Sequence, residues 1–185
     1  MARKLTFITS NPSKAAQLSI HLDYPIEHVK VDLLEVQSLD LEEIIIHKAE
    51  EAYKIVKSPV LVEDTSLRFL SLGKLPGPLI KWFLIELGND GLCNLLVGYT
   101  NRKALAEVIF CLYEGENYHL FNGSMSGTIA TIPRGESGFG WDSIFIPSGY
   151  EQTWGEMNKK LQMKTSMRRI ALKKMQMYIN KEFND

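Results

Sequence analysis

The sequence has few cysteines, no long apolar run and almost no net charge, and each absence excludes a class of protein. Only two cysteines, Cys93 and Cys111, occur in 185 residues, and no CxxC spacing suggests zinc or a disulfide scaffold. The longest unbroken apolar stretch, Val108 to Tyr113, has six residues, far short of the roughly 20 that cross a membrane. We therefore expect a cytoplasmic protein with two buried free thiols and no membrane partner.

Charge and composition constrain the partners. With 21 basic and 22 acidic residues, the formal net charge is −1, so no global basicity attracts the chain to a nucleic acid polymer. The sequence is 45% hydrophobic and 23% charged, as in ordinary globular proteins. The apolar run near the N-terminus is too short for the core of a signal peptide. We expect a single domain over residues 1–185.

Alternating strand and helix patterns predict an α/β protein. The predicted strands cover residues 5–9, 28–31, 60–62, 103–113 and 118–131. The predicted helices cover residues 12–23, 40–57, 80–87, 91–97 and 166–183. The first third reads β-α-β-α-β, which favours parallel strands with right-handed crossovers, and a hairpin is expected at 114–117. The pattern predicts an elongated mixed β-sheet flanked by helices.

The turn between the first strand and the first helix has the features of an anion site. A helix N-terminus offers free N–H groups and the positive end of a dipole. The polar side chains of this turn are Thr9, Ser10, Asn11, Ser13 and Lys14. Neither a P-loop nor a GxGxxG is present. The alternative is that the asparagine only caps the helix and the lysine is a solvated surface residue.

An acidic pair, Glu63 and Asp64, directly follows the apolar residues Val60 to Val62. Carboxylates at the end of a buried strand are costly unless they are paired or bind a metal, and ligands of open α/β sheets bind at that edge. Both face one ligand only if the strand ends there, because strand side chains alternate. With Glu35 from the preceding loop they would suit Mg²⁺. The alternative is an ordinary acidic strand end.

Three further segments carry side chains that suit a nucleotide. Phe139 to Asp142 places two aromatic residues and an acid on a glycine-flanked loop, where rings can stack on a base and the carboxylate can accept its hydrogen bonds. Arg168 begins the last predicted helix, and Lys48 lies near the apolar stripe of the second. The alternatives are that the aromatic residues pack beneath the loop and that Arg168 is an ordinary surface arginine.

Taken together, the motifs resemble those of the inosine triphosphate pyrophosphatase family over nearly the full length of the chain. The matching segments, in order, are Thr9–Lys14, Val62–Ser66, Leu75–Phe83, Phe139–Phe145, Thr153–Met157 and Ser166–Arg168. Each segment is weak evidence singly, and their ordered set is specific. The resemblance implies hydrolysis of (deoxy)nucleoside triphosphates of deaminated purines, such as ITP, dITP and XTP, to the monophosphate and pyrophosphate. It also implies Mg²⁺ and a homodimer whose subunits have two lobes and a central cleft.

The resemblance also implies a role for each candidate residue. The residues that would hold the triphosphate are Thr9, Ser10, Asn11, Ser13, Lys14 and Lys48. The residues that would bind the nucleoside are Thr65, Lys81, Phe139, Gly140, Trp141, Asp142, Gln162, Met167 and Arg168. The metal ligands would be Glu35, Glu63 and Asp64. Asp64 is also the candidate base for the attacking water, and it forms the catalytic set with Lys14 and Lys48.

This sequence departs from the family pattern at four positions. The family usually has glutamate at Gln17, lysine at Gln162, histidine at Met167 and alanine at Gly155. Gln162 and Met167 fall where the family reads the base, and each lost hydrogen bond would cost about 0.5–3 kcal/mol. Two alternatives to an inosine-selective enzyme therefore stay open. One is a diverged relative with another base preference, and the other, suggested by Gln17, is a nucleotide-binding module without turnover.

Overall fold

The computed structural model of this protein describes residues 5–9, 18–19, 21–22 and 24–182. Its strands are β1 (Leu5–Ile8), β2 (Ile26–Val29), β3 (Val60–Phe69), β4 (Pro76–Gly77), β5 (Lys103–Tyr113), β6 (Tyr118–Ile129) and β7 (Phe145–Pro147). Its helices are α1 (Leu41–Val56), α2 (Ile80–Asn94), α3 (Lys159–Thr165) and α4 (Met167–Glu182), with a 3-10 turn at Leu70–Leu72. Residues 18, 19, 21 and 22, within the first predicted helix, are also helical.

The strands form one mixed sheet in the order β2-β1-β3-β5-β6-β7, and β4 pairs with β3. Strand β1 is parallel to both its neighbours, with Leu5 opposite Ile26 and Thr6 opposite Val60. The β3–β4 and β6–β7 pairs are antiparallel. The predicted α/β class, with parallel strands first and a mixed sheet flanked by helices, is therefore confirmed.

Two compact units make up the chain. The first comprises Met1–Asp64, Val108–Gly123 and Ile170–Asp185, and the second comprises Thr65–Glu107 and Ser124–Arg169. The prediction of a single domain over residues 1–185 stays a prediction. In the described part of the chain, no helix is both long and apolar enough to cross a membrane.

Helix α1 organises the core of the first unit. Asp40 caps it by accepting hydrogen bonds from the backbone N–H groups of Glu42 and Glu43, which would otherwise lack helical partners. Its buried residues recur at helical spacing: Leu41, Ile44, Ile45, Ala49 and Ala52. This face packs with Val60 and Val62 of β3 in one apolar cluster. The predicted helix over 40–57 is thus confirmed, and its position on the core is fixed by apolar burial.

The prediction that the third strand ends before Glu63 is wrong. Strand β3 continues for ten residues, through Phe69. Beyond the acidic pair, Leu67 and Phe69 are fully buried and alternate with the more exposed Arg68, which is the pattern of a strand with one buried face. Pairing of Leu67 with Gly77 and of Arg68 with Pro76 holds this second half in the sheet.

Smaller differences have local causes. The two helices predicted over 80–87 and 91–97 correspond to the two halves of α2, which are separated by a kink at Gly88, where φ is +64° and the backbone is not helical. The strand predicted over 28–31 lies at Ile26–Val29. Helix α3 and the short strands β4 and β7 were not predicted, because two to seven residues are too few for a periodic pattern to appear.

Candidate active site

Lys48 lies between two carboxylates of the first unit. From the middle of α1, its Nζ lies 3.0 Å from Glu35 Oε1 and 3.5 Å from Asp64 Oδ2. The Lys48 side chain is only 17% exposed and that of Asp64 21%, whereas Glu35 is 47% exposed. Three of the predicted site residues, from a loop, a helix and a strand, therefore meet at one point.

The two carboxylates control the charge on Lys48. Burial by itself lowers the pKa of a lysine, but Asp64 and then Glu35 counteract it by attraction and hydrogen bonding, and the net pKa of Lys48 is raised above its usual value. Lys48 is thus a fully charged ammonium in a confined position. Such a group can neutralise a phosphate oxygen, provided that it leaves at least one of its carboxylate partners.

Glu63 and Asp64 have different environments. Glu63 is 8% exposed, and Asp64 faces Lys48. Because β3 continues past this pair, successive side chains alternate between the faces of the sheet, so Glu63 points away from the face that carries Asp64. The structure places Glu35 and Asp64 on either side of Lys48. The assignment of Glu63 as a metal ligand stays a prediction.

Thr9 directly follows β1, at the start of the turn predicted to bind phosphate. Its backbone N–H donates to the carbonyl oxygen of Val29, 3.2 Å away. Its own carbonyl accepts a hydrogen bond from His28 Nε2 at 2.6 Å, so the start of the turn is fixed to β2. The remaining predicted residues of this turn, Ser10, Asn11, Ser13 and Lys14, lie outside the described residues, as does Gln17.

In the second unit, the aromatic loop (Phe139–Asp142) is closed by hydrogen bonds between its first and last residues. Asp142 Oδ2 accepts a hydrogen bond from the backbone N–H of Phe139 at 2.7 Å, and the Asp142 N–H donates to the Phe139 carbonyl. Burial raises the pKa of the Asp142 carboxyl to about 6, although the Phe139 N–H opposes this rise. Phe139 itself is 82% exposed. The loop therefore presents one free aromatic ring on a self-bonded turn.

Trp141 packs against other aromatic residues. Its ring centroid lies 5.6 Å from that of Trp154 and 5.8 Å from that of Phe145. The buried Trp154 Nε1–H donates to Thr165 Oγ1 at 2.8 Å, which connects this cluster to α3. The alternative that an aromatic residue packs beneath the loop thus describes Trp141 and not Phe139. Trp141 is half-buried, and a stacking role would use the part of its ring that stays exposed.

The residues at the predicted base-reading positions have unequal capacity for hydrogen bonds. Gln162 is half-buried, and its Nε2 donates to the Trp154 carbonyl at 3.1 Å. Met167 is 8% exposed and offers an apolar surface. Arg168 and Thr65 are half-buried, and both interact with other groups of the protein. Lys81 is exposed, and its Nζ lies 5.2 Å from the ring centroid of the neighbouring Trp82.

Two residues that sequence reasoning missed support the aromatic loop. Asn89, just after the bend of α2, donates a hydrogen bond from Nδ2 to the Gly140 carbonyl at 2.9 Å. Ser137 donates from its hydroxyl to the Gly155 carbonyl at 2.6 Å. Both contacts bridge more than fifteen positions of sequence, so no local pattern could reveal them.

Gly155 allows two backbone segments to approach closely. A Cβ at this position would lie 2.8 Å from the Arg134 carbonyl oxygen and 2.9 Å from Ser143 Cα. Gly135, with φ of +83°, approaches from the other side, and a Cβ there would lie 2.2 Å from the Gly155 carbonyl carbon. Backbone atoms cannot rotate away as side chains can. The usual alanine of the family would therefore require a wider spacing here.

The sequence matches the Ham1 family over residues 5–178. This chain belongs to the Ham1 family. It is 44% identical over 173 residues to inosine triphosphate pyrophosphatase 2 of Trypanosoma cruzi, covering 91% of this chain and 88% of that protein. It is 43% identical over 185 residues to an inosine triphosphate pyrophosphatase of Fusarium vanettenii, covering 98% of each chain. The resemblance found from the sequence motifs is confirmed.

A solved Ham1 structure has the same fold. The Ham1 protein of Staphylococcus aureus superposes with a TM-score of 0.82 at 25% identity, covering 97% of this chain and all of that one. The overall fold is therefore that of a Ham1 protein.

Proposed function

We propose that this Ham1 protein hydrolyses (deoxy)nucleoside triphosphates, non-canonical purines such as ITP, dITP and XTP among them, to the monophosphate and pyrophosphate. The observation that carries the proposal is the convergence of Lys48, Glu35 and Asp64. Phosphoryl transfer needs positioning and charge neutralisation more than covalent chemistry, and this group supplies a cation and two anions at one point. The names of the Trypanosoma and Fusarium relatives support the choice of substrate.

Each of these side chains has a task in this proposal. Lys48 would bind a phosphate oxygen and neutralise charge that develops during cleavage of the anhydride bond. Asp64 would orient the attacking water and accept its proton. Lys14, with Thr9, Ser10, Asn11 and Ser13, would hold the rest of the triphosphate at the start of the first helix. Proton acceptance by Asp64 is the step that a single substitution tests most directly.

We propose that Glu35 and Asp64 also hold Mg²⁺, with Glu63 a further candidate ligand. Within the described residues, no group of three or more histidine, cysteine, aspartate or glutamate side chains is arranged to hold a metal ion. Two convergent carboxylates nevertheless fit Mg²⁺, which is commonly bound by one or two carboxylates together with substrate phosphates and waters. The ion would polarise the phosphate oxygens and neutralise their charge.

The nucleoside end is proposed to lie on the second unit. Phe139, exposed on its self-bonded loop, would stack on the base, with Gly140, Trp141 and Asp142 beside it. The other proposed nucleoside residues are Thr65, Lys81, Gln162, Met167 and Arg168. A buried methionine cannot donate the hydrogen bond of the usual histidine, and Gln162 already donates to a backbone carbonyl. These observations favour a second candidate, the same hydrolase with relaxed base preference.

The setting proposed for the enzyme is the cytoplasm. Both cysteines are free and buried, and burial raises the pKa of the Cys93 thiol to about 11 and that of Cys111 to about 12. Such thiols are inert and agree with a reducing compartment.

We also propose a homodimer. The exposed Trp82 and Ile85, one turn apart on α2, offer an apolar surface for it, and sedimentation of a Trp82→Glu/Ile85→Glu variant as a monomer would support this location.

A triphosphate panel tests the function. Wild-type protein is incubated with Mg²⁺ and with ITP, dITP, XTP, ATP and GTP in turn, and pyrophosphate release is measured. We expect turnover of the deaminated purines, and no release from any nucleotide at micromolar enzyme would refute the proposal. A preference over ATP and GTP of more than about a hundredfold would refute relaxed base preference, since it would require that the base-reading contacts persist.

Asp64→Asn tests the mechanism and the binding-module alternative. We expect a fall in kcat of at least about a hundredfold, because the amide cannot accept the proton of the attacking water. Asp90→Asn, an exposed change on α2, is the matched control and should leave kcat unchanged. Equal turnover by Asp64→Asn and wild type would contradict the role of Asp64. Nucleotide binding by the wild type with no pyrophosphate release would identify a module without turnover.

A further inference from the structure

The ammonium of Lys48 lies at the position where the metal-binding carboxylates converge. It contacts Glu35 at 3.0 Å and Asp64 at 3.5 Å, so it already neutralises one of the two negative charges that a divalent ion would need. Because the Lys48 ammonium occupies these carboxylate oxygens, and the Lys48 and Asp64 side chains are largely buried, a metal ion would compete with it for the same atoms. The carboxylates therefore cannot serve both cations at full strength.

We propose that Lys48 is a substitute cation, which holds Glu35 and Asp64 in the absence of nucleotide and releases them when a triphosphate draws it onto phosphate. The inference rests on the proposed function, since it presumes that phosphate and metal meet at this site. Its consequence is an order of events. The free protein has low affinity for the metal, and the metal binds well only together with the triphosphate.

The arrangement of the surrounding residues supports this exchange. Lys48 projects from α1, whose neighbouring residues Ala49 and Ala52 are fully buried, so the backbone at this position is fixed. Glu35 lies outside regular secondary structure and is 47% exposed, whereas Asp64 is held within β3. The ammonium can therefore leave Glu35 by rotation of side chains alone, without movement of the helix or the strand.

Manganese binding without nucleotide tests the competition. The free Mn²⁺ is measured by electron paramagnetic resonance as wild type, Lys48→Met and Lys48→Gln are titrated. We expect both variants to bind Mn²⁺ at least about tenfold more tightly than wild type, because the competing charge is gone. Lys54→Met, on the same helix and paired with Glu51, is the control and should bind as wild type does. Equal or weaker binding by both folded Lys48 variants would overturn the proposal.

A double variant locates the ion. Adding Glu35→Gln to Lys48→Met should abolish the gain in Mn²⁺ affinity, because one of the two carboxylates is lost. If the gain persists, the ion lies elsewhere and the proposal fails. These titrations contain no nucleotide, so their outcome is independent of the triphosphate panel: turnover without the gain in metal affinity would retain the proposed function and reject this inference.

Acetylation of lysines in the wild-type protein tests the exchange without any substitution. Acetylation by acetic anhydride, mapped by mass spectrometry, reports how freely each lysine reacts. Saturating Mg²⁺ should speed the acetylation of Lys48 several-fold relative to Lys54, because a metal on the carboxylates displaces the Lys48 amine from its two partners and exposes it to the reagent. An unchanged ratio of the two rates would mean that the metal leaves Lys48 in place, which contradicts the exchange.

Discussion

The Asp142 carboxylate accepts a hydrogen bond from the backbone N–H of Phe139 across 2.7 Å, inside the loop that presents the Phe139 ring. The Asp142 carboxylate can therefore accept hydrogen bonds either from its own turn or from a bound base. Because burial raises its pKa to about 6, its charge state changes within an experimentally accessible range of pH.

The contribution of Asp142 to the free energy of unfolding should fall as pH rises. Its pKa is higher in the folded state, about 6, than the ordinary 3.8, so folding favours the protonated form. The stabilisation from this group is fully present below pH 3.8 and is lost as pH rises through 6. Asp142→Asn should therefore gain about 2 kcal/mol relative to wild type between pH 4 and pH 7, measured by urea unfolding. Parallel pH profiles for the two proteins would contradict this assignment.

Gly155→Ala should destabilise the protein by about 1–3 kcal/mol, because the added methyl group meets the backbone of Arg134 and Ser143. The midpoint of thermal or urea unfolding measures the loss. Gln152→Ala, an exposed change in the same segment, is the control and should stay within about 0.5 kcal/mol. A fully stable Gly155→Ala variant would show that the two segments can separate without cost.

Asn89→Ala should raise the KM for ITP several-fold and leave kcat nearly unchanged. The variant removes the donor to the Gly140 carbonyl, worth about 0.5–1.5 kcal/mol, and so loosens the loop proposed to bind the base. Steady-state kinetics give the two constants separately. The exposed Asn94→Ala at the end of α2 is the matched control. A loss confined to kcat would place Asn89 in the chemical step, against this expectation.

Thr165→Val should cost about 1–3 kcal/mol, because the buried Trp154 Nε1–H would lose its acceptor. Unfolding in urea gives the free energy, and a double-mutant cycle isolates the contact. In a Trp154→Phe background, where the donor is absent, the same change should cost much less. Equal costs in both backgrounds would show that the hydrogen bond contributes nothing measurable.

How much the sequence could reveal differs between the Lys48 cluster of the first unit and the aromatic loop of the second. The apolar stripe and Asp40 cap predict α1 and so place Lys48, but the contact with Glu35 depends on how a loop returns to that helix. The same pattern could not extend β3 past Glu63, since two carboxylates interrupt its apolar run, and the continuation depends on pairing with β4 and β5, which no local pattern reveals. At the nucleoside end, Phe139 and Trp141 look equivalent in the sequence. Their exposure differs because Trp141 packs on Trp154, thirteen residues away.

Gly155 limits how well the structure of a relative with alanine at this position can represent the surrounding backbone. The segment that contains Arg134 and Gly135 approaches position 155 with backbone atoms, so the absence of one methyl group permits this close spacing of the two segments. A template with alanine there would transmit its wider spacing to the neighbouring Trp154, and with it to the carbonyl that Gln162 bonds. The absence of a side chain at Gly155 thus helps to determine where the Trp154 ring lies.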